Sequence, residues 1–362
     1  MSYIAAIETA LPRYSHTQEE FTDFFSNATD DVTTKRKIKI ISKKTGIHTR
    51  YSVLKDYSVA LGDFEFYEKN KNLEPSPSLT KRMSVYKKEA VLLSIEAIKK
   101  INHFEEIKHS ITHLITVTCT GLFAPGLDIE LIRALDLNAH INRSSINFMG
   151  CNAAILALKN ADTICKSDHT AKVLIVCTEL CTLHFQKKYN DDYLLSNMLF
   201  GDGSAAVLVT AEPDVKSHYT NIKIGSFNSL ILHKGYHDMA WQLSETGFIM
   251  NLTSYVSGLI KENIQVMLDS IAIDTTKINH WAIHPGGKKI IDDFFEVLKI
   301  DPSKASESYD VLRDYGNMSS PTVLFVLKQV LENNANAKKG ESIFSAAFGP
   351  GLSIETMQLS YA

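Results

Sequence analysis

Cys151, His284 and Asn317 are the residues of this 362-residue chain whose types and settings fit one chemistry. Cys151 follows Gly150 at the head of an apolar run, NAAILALKNADTI, that reads as a helix. At a helix start, unpaired N–H groups and the positive end of the dipole favour the thiolate, and a neighbouring imidazole would favour it further by forming an ion pair. His284 closes the strand-like segment INHWAIH ahead of Pro285-Gly286-Gly287, and open α/β sheets place active residues at the C-terminal ends of strands. Asn317 follows Gly316 ahead of a second apolar run. A cysteine supplies an acyl carrier, while His and Asn donors aimed at one point would stabilise the enolate of a thioester. Each residue also has an ordinary structural reading: a buried inert thiol, a satisfied strand-end histidine, a helix N-cap. None is specific alone; the set on one scaffold is.

That scaffold is an internal repeat. A helical pattern from about Tyr86 to Ile101 leads to the apolar strand HLITVT, ending at Cys119-Thr120-Gly121. In the second half, SGLIKENIQVMLDSIA leads to INHWAIH. About thirty residues after each strand come Gly150-Cys151 and Gly316-Asn317, each followed by an apolar helix, then a strand (KVLIVCTE or ESIFSAAF) and a Gly-rich turn (FGDG or FGPG). The pattern predicts an α/β protein of two αβαβα lobes about a pseudo-twofold axis, with right-handed crossovers and mainly parallel sheets. The lobes are expected at 1–214 and 215–362, divided in the polar stretch near 211–217, with 17–85 an insertion of helix and loop. Neither GDG at 201–203 nor GPG at 349–351 has the GxGxxG setting of a dinucleotide site, so both read as tight turns that let a backbone approach a substrate.

Composition excludes several classes. A formal charge of −3 with spread Lys and Arg leaves no nucleic-acid footprint. The five cysteines lack CxxC spacing, which argues against a disulfide framework or zinc site and for a reducing compartment. With no signal-like N-terminus and no apolar run of spanning length, a soluble cytoplasmic protein is expected.

The segments FMGCNAAILALKNA, FGDGSAAVLV, HPGG, YGNMSSPTVLFVL and AAFGPGLSIETMQL resemble, in order, the signature segments of chalcone-synthase-like type III polyketide synthases, members of the thiolase superfamily. The resemblance covers essentially the whole chain, and YGNMSS with FGPG is its most specific part. It implies that Cys151 takes a starter acyl group from CoA and that His284 sustains the thiolate. With Asn317, His284 would stabilise the enolate left when malonyl-CoA loses CO2. Phe200 matches the family's gatekeeping phenylalanine, Ser319 a cavity position, and Gly349, Pro350 and Gly351 a loop at the site. Lys37, Lys39 and Lys44 fall where the family keeps cations for the CoA phosphates; a solvated helix face is the competing reading. CoA thioesters are implied as substrates, with no metal or other cofactor, and a homodimer pairing through the first lobe near Ala124-Pro125.

Departures from the plant pattern bear on the substrate. Cys119, Ala124, Cys181, His184, Trp241 and Met250 replace residues that line the family's cavity. Small residues at 124 and 181 resemble those that open an acyl tunnel, so an aliphatic acyl-CoA starter and an alkylpyrone or alkylresorcinol product are expected. Trp241 would narrow another wall and restrict the number of extensions. Two other readings remain open here. One is a single-condensation enzyme, such as a class III ketoacyl carrier-protein synthase or a hydroxymethylglutaryl-CoA-synthase-like protein. The other is a non-catalytic acyl-CoA-binding subunit.

Overall fold

The computed structural model describes residues 1–213, 222–253, 255–271 and 273–362. Most of the expected lobe boundary at 211–217 lies outside the described residues. Among the described residues thirteen strands form: β1 (Tyr3–Ala10), β2 (Tyr14–Thr17), β3 (Thr49–Ser52), β4 (His113–Thr118), β5 (Asn142–Asn147), β6 (Lys172–Leu180), β7 (Asp202–Thr210), β8 (Ile222–Ile231), β9 (Met239–Ser244), β10 (Gly247–Leu252), β11 (His280–Ile283), β12 (Ser342–Gly349) and β13 (Ser353–Tyr361). Nine of them make one sheet in the order β11-β12-β13-β8-β1-β7-β6-β4-β5. β2–β3 and β9–β10 are separate antiparallel pairs.

The repeat is visible in this order. β1, β7, β6 and β4 run outward on one side as β8, β13, β12 and β11 do on the other, with matching pairings, and β1 and β8 meet antiparallel at the centre. Parallel pairing lies at the outer strands, β4–β5, β4–β6 and β11–β12, where helices supply the crossovers. The strands nearer the centre pair antiparallel, because β6–β7 and β12–β13 follow one another in the chain. β5 has no counterpart among the described residues of the second lobe. There the helix Ser306–Tyr315 leads directly to Gly316.

Two helices form the middle of the molecule, Ala153–Ser167 and Thr322–Asn333, and each packs on strands of both lobes. The first reads AAILALKNA, and its Ala153, Ala154, Ile155, Ala157, Leu158 and Ala161 are all fully buried. Small alanines allow close approach on several sides at once, while Lys159, Asn160, Thr163 and Ser167 make the helix's polar face. Outer helices such as Leu79–Lys99, capped by Ser78, cover the far side of β1, β6 and β7. The insertion folds into the helices Gln18–Asn27 and Val32–Lys44 and the β2–β3 pair, with an aromatic core of Phe21, Phe24, Phe25, Tyr57 and Phe185.

Candidate active site

Cys151 sits on the turn between β5 and the first central helix. Phe148 and Gly150 have φ of +58° and +84°, which swings the chain sharply before the helix. A Cβ on Gly150 would run into Pro350, and one on Gly349 would stand 2.6 Å from the Asn152 side chain. The Gly349-Pro350 turn therefore lies directly on the cysteine's own turn, and Asn152 Nδ2 seals the contact by donating to Ser353 Oγ at 2.8 Å. Gly351, at φ +70°, turns away, with open space where a Cβ would be.

The Cys151 sulfur is 3.6 Å from Ser319 Oγ and 4.0 Å from Asn317 Oδ1. Asn317 is not the N-cap of the second central helix. That helix begins at Thr322 after Pro321, so the N-cap reading is replaced by a buried loop position. The Asn317 Oδ1 accepts from the Ser319 N–H at 2.8 Å, and Nδ2 donates to the Gly286 carbonyl at 3.3 Å. These bonds assign the amide's orientation and leave one Nδ2 hydrogen uncommitted. Gly286 belongs to the His284-Pro285-Gly286-Gly287 turn, so one side chain ties the histidine loop to the cysteine's surroundings. His284 is held through its backbone N–H, which donates to the Ala346 carbonyl at 2.8 Å. Both its ring nitrogens are buried without a partner among the described residues.

Burial dominates the titration of the pair. It pushes the Cys151 thiol up to about 12, against the lowering contacts of Ser319 and Asn317, and pushes His284 down to about 3. Desolvation thus opposes the thiolate that the helix start favours.

Phe200 meets Asn317 across a one-residue parallel bridge. The Asn317 N–H donates to the Leu199 carbonyl at 3.0 Å, and the Gly201 N–H donates to the Asn317 carbonyl at 2.9 Å. A cavity of about 30 Å³ is walled by Phe200, Cys181, His184, Trp241 and Met250, with room for about two waters. His184 is fixed by both nitrogens: Nδ1 accepts from the Phe248 N–H at 3.0 Å, and Nε2 donates to the Thr120 carbonyl at 2.7 Å. Its ring stacks on Phe248, and burial lowers its pKa to about 3. Trp241 and Met250 are direct partners in the β9–β10 pair, and the indole N–H donates to the Cys119 carbonyl at 2.6 Å.

Other expected cavity residues lie elsewhere. Ala124 is exposed, so it forms no wall of a cavity within one chain. Cys119 does not line the 30 Å³ cavity; its sulfur accepts from the Gly150 N–H at 3.0 Å and steadies the cysteine turn. Ser319 faces Cys151 instead.

A larger pocket of about 420 Å³ opens on the other side, with Leu199, Leu252, Gly286 and Gly287 within and Lys44, Lys288 and Lys289 among its lining. Of the three cations expected at CoA, only Lys44 lines it. Lys37 pairs with Asp191, itself a lining residue, and Lys39 lies on the outer face of its helix. Lys288 and Lys289 escaped the sequence reading because they follow HPGG as an ordinary basic helix start. Glu179 was also missed. It is fully buried at the end of β6 and accepts from the Cys119 N–H, Thr120 Oγ1 and, across the lobes, Ser320 Oγ. A charged residue ending an apolar nine-residue strand was its one visible signal.

A duplicated α/β frame with Cys, His and Asn carried on loops between its lobes is the layout of thiolase-fold condensing enzymes. Comparisons narrow the class. The model for chalcone and stilbene synthases matches residues 1–213 with its N-terminal domain and 224–361 with its C-terminal domain. The chain is 30% identical over 370 residues to Probable polyketide synthase 1 of Dictyostelium discoideum, covering 98% of this chain but only 11% of that protein. Among solved structures, PKS-I from the brown alga Ectocarpus siliculosus is similar with a TM-score of 0.91 and 25% identity, covering 100% of this chain and 98% of that one. The C-terminal type III polyketide synthase domain of Steely1, a type I/III hybrid from Dictyostelium, has a TM-score of 0.87 and 29% identity, covering 99% of both chains. The chain belongs to the chalcone and stilbene synthase family, the type III polyketide synthases, which are condensing acyltransferases.

Proposed function

We propose that the chain builds a polyketide on Cys151 by decarboxylative condensation of malonyl-CoA. The observation that carries this reading is the meeting of the Cys151 sulfur with Asn317 and Ser319 at 3.6–4.0 Å, with Asn317 also bonded to the histidine turn. In the first step the Cys151 thiol attacks a starter acyl-CoA, and its proton passes by way of His284 to the departing CoA sulfur, so that CoA leaves as the thiol and His284 returns to neutral. A thioester now occupies the sulfur. Malonyl-CoA then loses CO2, and the electron pair of the broken C–C bond forms an enolate. The free Nδ2 hydrogen of Asn317 and an N–H of His284 are the donors for its oxygen. The enolate carbon attacks the Cys151 thioester, the sulfur leaves, and the lengthened chain on CoA can reload. Phe200 supplies an apolar wall that favours loss of the carboxylate charge.

The 420 Å³ pocket beside Gly286 and Leu199 is the entry for the CoA arm, with Lys44, Lys288 and Lys289 meeting its phosphates. The reaction as written needs CoA thioesters alone, with no metal or prosthetic group. An aliphatic starter fits the apolar Ile41, Leu195, Leu199, Leu252 and Val256 of that pocket, and a pyrone or resorcinol-type ring is the product this reading expects. The five unpaired, buried cysteines suit a reducing cytoplasm. Among the described residues no helix is long and apolar enough to cross a membrane.

A homodimer is part of this reading. β5 is an edge strand with five of its six residues exposed, and Leu122 and Met149 beside it are 42% and 48% exposed. An open edge next to apolar side chains is a surface that a second copy would cover.

Intact-mass spectrometry after incubation with hexanoyl-CoA tests the nucleophile: wild type gains the acyl mass and Cys151→Ala does not. Labelled malonyl-CoA with a panel of acyl-CoAs tests repeated extension. A single extension from every starter would sink the polyketide reading in favour of a one-step condensing enzyme.

A further inference from the structure

Arg50, in β3 of the first lobe, is fully buried. Its guanidinium lies face-on to Phe21, 3.5 Å from the ring centre, and no carboxylate bonds it among the described residues. The buried carboxylate of Asp202 acts on it through space without bonding it, so what the guanidinium holds directly is informative. Nη1 donates to the Phe200 carbonyl at 2.7 Å and to the Asn197 carbonyl at 2.9 Å. The aliphatic stem packs against Gly316, where a Cβ would stand 2.8 Å from Arg50 Cγ, and against Gly201, where a Cβ would stand 3.6 Å from Arg50 Cβ. Arg50 therefore wedges between the residue after Phe200 and the residue before Asn317, at the bridge where those two segments meet. Phe200 belongs to the first lobe and Asn317 to the second.

We infer that Arg50 is a positioning residue for malonyl decarboxylation, setting the Phe200 ring and the Asn317 amide in register across the lobe boundary so that both face one malonyl thioester. The inference rests on the roles proposed above for those two residues. It does not extend to starter acylation, because Cys151 is carried by a different turn, held by Pro350 and Cys119.

The test separates the two half-reactions. Decarboxylation of malonyl-CoA without a starter (uptake of one proton, release of acetyl-CoA and CO2) is followed by chromatography of acetyl-CoA. Acylation of Cys151 by hexanoyl-CoA is followed by intact mass. For Arg50→Lys the expected result is a loss in decarboxylation kcat of about tenfold or more, with KM for malonyl-CoA within about threefold and acylation within about twofold. In the Asn317→Ala background Arg50→Lys should add less than its loss in the wild-type background, since part of its effect runs through the Asn317 amide. Gly201→Ala leaves the guanidinium intact but would bring a Cβ to 2.8 Å from the Tyr315 carbonyl, spreading the same two segments. It should show the same selective loss, and it decides the matter if Arg50→Lys does not fold. Parallel loss of both half-reactions, additive losses, or wild-type decarboxylation in Gly201→Ala would overturn the inference. Wild-type decarboxylation in Asn317→Ala alone would remove the role of Asn317, and this inference with it.

Discussion

Ser319 presents its hydroxyl to the Cys151 sulfur at 3.6 Å from a backbone with φ of +60°, a region that favours glycine. The hydroxyl lowers the thiol's pKa against the burial that raises it. Removing it should slow acylation in both Ser319→Ala and Ser319→Gly. The two differ in stability, since glycine relieves the backbone and alanine does not. Ser319→Gly should be the more stable by about 1 kcal/mol in urea unfolding. Equal stability of the pair would contradict strain at this residue.

Gly150 and Pro350 fit together only because Gly150 has no Cβ. Gly150→Ala adds a side chain at φ +84° and a collision with Pro350, which together should cost roughly 2–5 kcal/mol. Pro350→Ala in the same chain should return part of that loss, because it relieves the collision and leaves the backbone strain. A double mutant no more stable than Gly150→Ala would show that the turn does not press on the cysteine.

His184 and His284 are both buried with pKa values near 3, against 6.5 for a free histidine. Unfolding below pH 6.5 lets each take up a proton that the folded chain refuses. Stability is therefore full above about pH 6.5 and falls as pH drops toward 3, each residue adding about 1.4 kcal/mol per pH unit. Urea unfolding at pH 5 and 6 should show this slope, and His284→Gln should lower it by about 1.4 kcal/mol per pH unit. An unchanged slope in that variant would mean His284 is charged in the folded protein.

Trp241 fills the space that would otherwise enlarge the 30 Å³ cavity, and its N–H anchors the β9–β10 hairpin to the Cys119 carbonyl. Trp241→Gly should shift products toward longer chains in mass-spectrometric profiles with one starter, at a stability cost of roughly 3–5 kcal/mol or less, since the ring is only partly buried. An unchanged profile would mean that chain length is set at another wall.

Much of this was legible in the chain itself. Apolar runs of helical and strand length, punctuated by glycine, revealed the two-lobe repeat, and those signals are local: a strand's pattern and a turn's glycine act over a few residues. Cys151, His284 and Asn317 could be picked out because each stands at such a punctuation, and the family segments supplied their expected partners. Which neighbour each side chain meets was decided by packing between segments far apart. Asn317 looked like a helix cap until Pro321 took that place and Gly286 claimed its amide. Ala124 lies on the surface and Lys37 pairs with Asp191, placements that their sequence neighbours do not show. Glu179 and Arg50 gave almost no signal, because a buried charge is explained only by donors and carbonyls brought to it from elsewhere. The sequence determined the frame and the three residues at its loops. Only the folded chain decided what surrounds them, since burial and long-range contacts set each group's partners and charge.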